Sequence, residues 1–257
     1  MKKTLIALAV AASAVVSGSA MAWTANGTGG DVELGGTLTP VTKVTPWEVQ
    51  VGAAVTGLNA DIQKGQRAVD IVANKAIPVL GIRTISNTPF QGKAGISPQI
   101  DYGKAVDVNA FADGRAPLTL QVKDNQNVVI GTLTAKLGAS ALISIKSNTW
   151  SGYNHAYAGA AGHGFFGGLP KTKGATPDKN IAYNVMPEVA EKFTKQGTSA
   201  TTVGPATAFN NTNATYSAYY AAGIEKGQSI KIALDTPAQG DAAIAWTASM
   251  PVIVTYQ

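Results

Sequence analysis

The sequence predicts an all-β protein: a β-sandwich built as one domain and elaborated by an insertion. Three observations lead there. Short segments alternate apolar and polar residues along most of the chain. Glycine is abundant and charged residues make up only 14% of the 257, while Val, Ile and Thr recur in short runs, a composition that suits strands better than helices. Turn signals separate these runs at sandwich-like spacing, except in one irregular stretch in the middle.

The first 22 residues read as a secretory signal peptide. "MKK" is a positive n-region, "TLIALAVAASAVV" a short apolar h-region, and "SGSAMA" places Ala20 and Ala22 where a signal peptidase reads. The segment is too short and wrongly flanked for a membrane span. Cleavage after Ala22 makes Trp23 the first mature residue and lowers the formal charge from +5 to +3, because Lys2 and Lys3 leave. The remaining positive charge is spread thinly, with no clustered basic face for nucleic acid. There is no cysteine, so an exported chain takes no disulfide support. About 235 mature residues are enough to bury a core without it.

The arm after the signal, residues 23–45, contains "DVELGGTLT". Val32, Leu34, Gly36 and Leu38 fall on one side, which is a half-buried strand pattern. The domain then runs from 46 to 257. "WEVQVGAAV" alternates from Trp47 to Val55. "RAVDIVANK" places Val69 and Ile71 together, and "AIPVLGIRTI" carries Pro78 at an edge or a strand start. "APLTLQVKDNQNVVIGTLTAKL" is a hairpin turning at "KDNQN", with Leu118, Leu120 and Val122 aligned. "LISIK" extends it. The insertion, about residues 147–200, opens on a stretch without clean period. One helix is expected near "MPEVAEKFTKQG", with Pro187 in its first turn, Glu188 at its N-terminus and Gly197 closing it. Strands resume in "ATYSAYYAAGI", "SIKIALDT" and "AAIAWTASMPVIVTYQ". In the last, Met250, Val252, Val254 and Tyr256 share a face.

Little chemistry is marked. The two histidines, His155 and His163, belong to no zinc ligand set, and no hydroxyl stands out as a nucleophile. No catalytic residue, metal or cofactor is expected. "GHGFFG" matches G-x-G-x-x-G at Gly162, Gly164 and Gly167, but lacks the preceding buried strand and the following helix that dinucleotide binding requires. It reads as a loop. Trp150, Tyr153, Asn154, His155 and Tyr157 crowd one short stretch. Flat rings stack on sugar faces and amides read hydroxyls; equally, the rings could pack the insertion onto the sandwich.

The arm "GGDVELGGTLTP" followed by "WEVQVGAAVTGLN", the "GFFGGL" turn, "DKNIAYN" and the closing "AWTASMPVIVTYQ" resemble the major subunits of the K88 (F4), F41 and CS31A group of enterobacterial fimbriae. The likeness is strong at the termini and looser in the middle. The resemblance implies a chaperone–usher pilin: an immunoglobulin-like sandwich lacking its final strand. A periplasmic chaperone fills the gap first, and at the outer-membrane usher the arm of the next identical subunit replaces it. Val32, Leu34, Gly36 and Leu38 match the donor strand. Met250, Val252, Val254 and Tyr256 match the C-terminal strand that the chaperone pairs with. The resemblance also implies that the fimbrium carries an adhesin in every copy, binding a host glycoprotein or glycolipid through about Ser147 to Thr172. The alternatives are a structural or minor subunit without its own carbohydrate site, and an exported hydrolase.

Overall fold

The computed structural model describes residues 25–26, 28, 32–39, 44–177 and 179–257; the signal peptide lies outside them. The chain divides into two units, residues 1–43 and 44–257. In the first, residues 32–39 carry no regular secondary structure. Val32, Leu34 and Leu38 are 82%, 94% and 97% exposed. The strand expected at "DVELGGTLT" is therefore absent from the described part of this segment. A lone strand has no ladder to satisfy its backbone, and residues 32–39 pair with no strand among the described residues.

The second unit is an all-β sandwich. Its strands are β1 (Trp47–Val51), β2 (Ala68–Val72), β3 (Ile77–Thr84), β4 (Phe90–Gln91), β5 (Pro98–Asp101), β6 (Arg115–Lys123), β7 (Val129–Ser147), β8 (Ser151–Tyr157), β9 (Gly204–Pro205), β10 (Ala214–Ile224), β11 (Ser229–Leu234) and β12 (Ile253–Tyr256). "LISIK" is not a separate extension but the end of β7. That long strand exchanges partners along its length. Its first half pairs with β6 and β11, its second with β10 and β8, and the change falls at Gly138. Two antiparallel ladders, β2-β11-β7-β6 and β1-β3-β10-β7-β8, thus share one strand. β1 stops at Val51, short of the expected Val55, because the chain crosses β3 closely there: a Cβ on Gly52 would lie 1.9 Å from the Pro78 carbonyl oxygen.

β10 is buried on both faces, which is why its sequence is nearly continuously apolar. Tyr216, Ala218, Tyr220 and Ala222 join the main core. There Trp47 meets Phe90, Phe165 and Phe209 at ring centroid distances of 5.0–5.6 Å, and its indole donates to the Ile96 carbonyl (2.6 Å). Tyr219 and Ala221 face a second cluster under a small helical cap.

The cap corrects the expected helix. Helix α1 spans Ile181–Val185, ahead of the predicted position, and Pro187–Ala190 forms only a 3-10 turn. The Asn180 side chain caps α1 by accepting from the Tyr183 amide. Pro187 does open its turn and Glu188 does lie in it, but the chain beyond runs on without helix. Gln196 has a φ of +53°, and its amide is tied to Ser144 and Thr215 across β7 and β10. Those bonds replace the helical ladder. The cap sits tightly: a Cβ on Gly81 of β3 would lie 2.3 Å from the Met186 sulfur. Arg83 holds the same junction, donating to Glu48 (2.5 Å), to Glu191 (2.9 Å) and to the Glu188 carbonyl.

Candidate binding edge and cavity

Two features of the sandwich are candidates for recognition. The first is the C-terminal strand. Residues 246–257 run extended, with a strict alternation of half-buried even and exposed odd positions. Trp246, Ala248, Met250, Val252, Val254 and Tyr256 all pack partly against the main core. Backbone pairing is sparse. Among the described residues, β12 pairs only with β5, over Ile253–Tyr256, and a bridge at Thr247–Lys123 holds the upstream end. The strand expected over the whole closing stretch is thus reduced to four residues, while its side-chain period persists. β12 presents one bonded edge, one edge without a strand among the described residues, and an apolar row left half covered. Tyr256 is anchored by a hydrogen bond to Thr45, and burial raises its pKa above the ordinary tyrosine value.

The second feature is a cavity of about 680 Å³ lined by Ile145, Trp150, Asn154, His163 and the segment Thr201–Ala208. β8 is one wall. It occupies part of the stretch in which no period was expected; its alternation is Gly152, Asn154 and Ala156 buried against half-buried Tyr153, His155 and Tyr157. The period is hidden in the sequence because small and polar residues, not aliphatic ones, take the inward positions. Pleating separates the predicted sugar residues. Asn154 and Trp150 line the cavity. Tyr153 packs on the cap cluster instead, with the Lys195 ammonium 4.9 Å from its ring centroid. His155 and Tyr157 alternate with Asn154 and do not line the cavity. Trp150, 45% exposed, lies over Gly152: a Cβ there would meet the indole at 3.1 Å and the Thr201 methyl at 2.7 Å.

Sequence reasoning missed the other walls. Segment 201–208 reaches β8 through a two-residue parallel pairing, Ala156–Gly204 and Tyr157–Pro205. His163 arrives on the "GHGFFG" turn, which is a loop. This turn is fixed rather than loose: Phe165 is fully buried and stacks on Tyr220 (5.5 Å, 15°). The turn is bound along β5 by Phe165 N–H to the Pro98 carbonyl (2.7 Å), Ile100 N–H to the Phe166 carbonyl (2.8 Å) and Gln99 to the His163 carbonyl (2.9 Å). No local signal marks either wall as part of a site. Among the described residues no group of His, Cys, Asp and Glu side chains could hold a metal, and no helix is long and apolar enough to cross a membrane.

Comparison with known proteins gives these features a family. The model of the family described as "Fimbrial, major and minor subunit" matches residues 1–257. The chain belongs to this fimbrial subunit family. The F41 fimbrial protein of Escherichia coli is 30% identical over 285 residues, covering both chains fully. The K88 fimbrial protein AC of the same organism is 27% identical over 289 residues, again at full coverage. The K88 minor fimbrial subunit FaeI of Escherichia coli is 29% identical over 151 residues, 56% of this chain and 58% of that one. Fimbrial subunits polymerise into fibres, so this subunit has copies of itself as partners and its place is the cell-surface fimbrium.

Proposed function

We propose that this fimbrial subunit polymerises by donor-strand exchange and serves as a multivalent adhesin for host-cell glycans. The observation that carries the proposal is the state of β12: paired on one edge by β5, with a half-covered apolar row of Met250, Val252, Val254 and Tyr256. Added strands bind such edges through backbone hydrogen bonds, and alternate side chains fill the pockets between. The exposed row Val32, Leu34 and Leu38 in the arm supplies side chains at that spacing, and Gly36 lets the donor backbone approach closely. In this reading residues 23–45 are the donor arm of one subunit and 46–257 the incomplete immunoglobulin-like domain of the next. The chain crosses the periplasm under a chaperone that covers the same row, and is handed on at the outer-membrane usher.

Adhesion is assigned to the cavity beside Trp150 and Asn154. Repetition of a weak site along a fibre turns it into strong avidity. A purely structural subunit is the second reading, and the packing of Tyr153 into the cap cluster favours it.

The test pairs two variants. Leu34→Asp puts a carboxylate into an apolar groove and is expected to abolish fibres while the chaperone still captures the subunit. Trp150→Ala is expected to leave fibre yield unchanged and to remove adhesion to host cells. Normal fibre yield from Leu34→Asp would overturn donor-strand exchange. Undiminished adhesion by Trp150→Ala fibres would favour the structural reading.

A further inference from the structure

We infer that successive copies in the fibre touch end to end as well as through the arm: Val128, Val129 and Ile244 at one end of the sandwich seat against Val44 and Ile85, at the root of the next copy's arm. This rests on the donor-strand reading above and adds a second interface to it.

The direction follows from where the arm begins. Tyr256 is hydrogen-bonded to Thr45, so each domain's own arm leaves beside the Tyr256 end of the apolar row. The row extends from there back to Trp246, about 33 Å away at about 3.3 Å per residue. The chain from Leu38 to Val44 reaches at most about 22 Å. An incoming arm with its root at the Tyr256 end would bring a second domain to the place where the first domain's own arm must leave for a third. Three domains would crowd one end, and no extended fibre would grow. The incoming arm therefore lies with Val32 toward Tyr256 and Leu38 toward Trp246, and its owner stands within about 22 Å of the Trp246 end. Such a contact is head to tail and repeats without closing.

The two ends suit each other. At the Trp246 end, the Thr247–Lys123 bridge brings the closing segment beside the β6–β7 hairpin at its turn. Asp124 fixes that turn. Its carboxylate accepts from the Gln126 amide (2.8 Å) and the Val128 amide (2.9 Å), and its own amide donates to the Val128 carbonyl (3.0 Å). This rigid turn holds Val128 and Val129 exposed, and Ile244 is exposed on the neighbouring segment. Residues 125–130 and 242–248 contain no charged side chain. At the other end, the Ile85 amide donates to the Pro46 carbonyl (2.9 Å), which sets Ile85 beside the arm root, where Val44 is 85% exposed. Residues 84–90 are likewise uncharged. Grouped apolar residues on an uncharged surface mark interaction sites. Once the arm is docked the end contact forms within one assembly, so a small apolar area is enough to add to its hold.

The chain has no cysteine, so thiols placed at the two ends report on this contact alone. Purified fibres of Ile85→Cys/Val128→Cys and of Ile85→Cys/Ile244→Cys would be treated with a short bis-maleimide and boiled in detergent. Within one chain the two ends are separated by most of the length of the 19-residue β7, so a cross-link joins two copies. A ladder of covalent multimers is expected, with about 10-fold more dimer than in Val72→Cys/Val128→Cys fibres. The control thiol at Val72 is exposed midway along the β7 ladder, away from both ends. Ile85→Asp leaves the arm and the apolar row untouched, so fibres should form, but heating should release subunits about 10-fold faster than from wild type. Where Ile85→Asp yields no fibre, the cysteine pairs decide. Intact fibres without cross-links above the control overturn the inference and leave donor-strand exchange standing, as do Ile85→Asp fibres that shed subunits no faster than wild type. Normal fibre yield from Leu34→Asp would instead remove the donor-strand reading itself.

Discussion

The edge at β12 and the cavity beside β8 lie in one sandwich but, in the proposed function, would recognise by different means. At the edge, affinity would come from the backbone, and the side chains need only be apolar at every second position. The row from Trp246 to Tyr256 meets that requirement with five residue types at six positions, so many sequences would serve. The cavity depends on particular groups, one indole, one amide and one imidazole, brought from residues 150, 154 and 163 against segment 201–208. In the proposed function the difference separates assembly, tolerant of sequence, from recognition that a single substitution would redirect.

The largest expected effect breaks the edge alone. Val254→Asp places a carboxylate in the half-buried row opposite Ile100 of β5. Burying that charge without a partner costs several kcal/mol. Fibre yield, measured by heat extraction and electron microscopy, should fall by more than 100-fold, together with chaperone capture. The conservative Val254→Ile should assemble normally. If Val254→Asp still assembles, the row is not a docking surface.

The second effect breaks the cavity alone. A Cβ on Gly204 would lie 3.2 Å from the Asn154 amide nitrogen, so Gly204→Val fills the space beside it. Fibres should persist, since β9 has only two residues and, among the described residues, pairs only with β8. Glycan affinity measured on those fibres should fall about 10- to 100-fold, the range of a few kcal/mol for a lost polar contact and overpacking.

This contrast also explains what was legible in the sequence. Met250, Val252, Val254 and Tyr256 announce themselves because a period of two survives in any strand with one covered face. The hairpin of β6 and β7 was readable for the same reason, and the two-faced strand β10 by its nearly continuous apolar run. The cavity was only half readable. Trp150 and Asn154 stood out by type, but Tyr153, His155 and Tyr157 stood out equally, and only the pleat of β8 divides them. His163 and Thr201–Ala208 carry no local mark, because a two-residue parallel pairing between distant segments has no periodic signature. Helix α1, with five residues, is too short for a helical period to show. It exists because Ile181, Ala182 and Val185 bury in one cluster with Tyr219 and Ala221 of β10.

A third variant tests how far the two regions are joined. Tyr102 follows β5 directly, and its hydroxyl meets that of Tyr220 (2.7 Å), which reaches the Gly168 carbonyl (3.1 Å) beyond the "GHGFFG" turn. The chain of bonds therefore links the strand that pairs with β12 to the turn that carries His163. Tyr220→Phe leaves the Tyr102 hydroxyl and that carbonyl without their partner, at about 1–3 kcal/mol, and should lower the melting temperature by several degrees. Because the strut touches both regions, fibre stability and glycan affinity should decline together. Burial holds both tyrosines above the ordinary value of 10.0. Their neutral form belongs to the folded state, so stability is intact below pH 10 and falls as pH rises past it. A melting series from pH 8 to 11 should show this fall in the wild type and a shallower one in Tyr220→Phe.

The smallest effect falls on the cavity side only. Glu48 is held below the ordinary carboxylate value by hydrogen bonds from Lys192 first and Arg83 second. A lowered value means that its contribution is present above pH 4.5 and is lost as pH falls through the folded value. These bonds pin residues 188–192 to β1 and β3, and the same stretch of chain continues through Gln196 into the cavity wall at Thr201. The groups are partly exposed, so the worth is small, about 0–1 kcal/mol. Glu48→Gln should therefore weaken glycan binding at pH 7 by no more than a few-fold and leave fibre yield untouched. It should also flatten the loss of binding between pH 5 and pH 3. An equal loss of fibres in that variant would mean that the cap supports the edge as well as the cavity, and the two regions would no longer be separable by substitution.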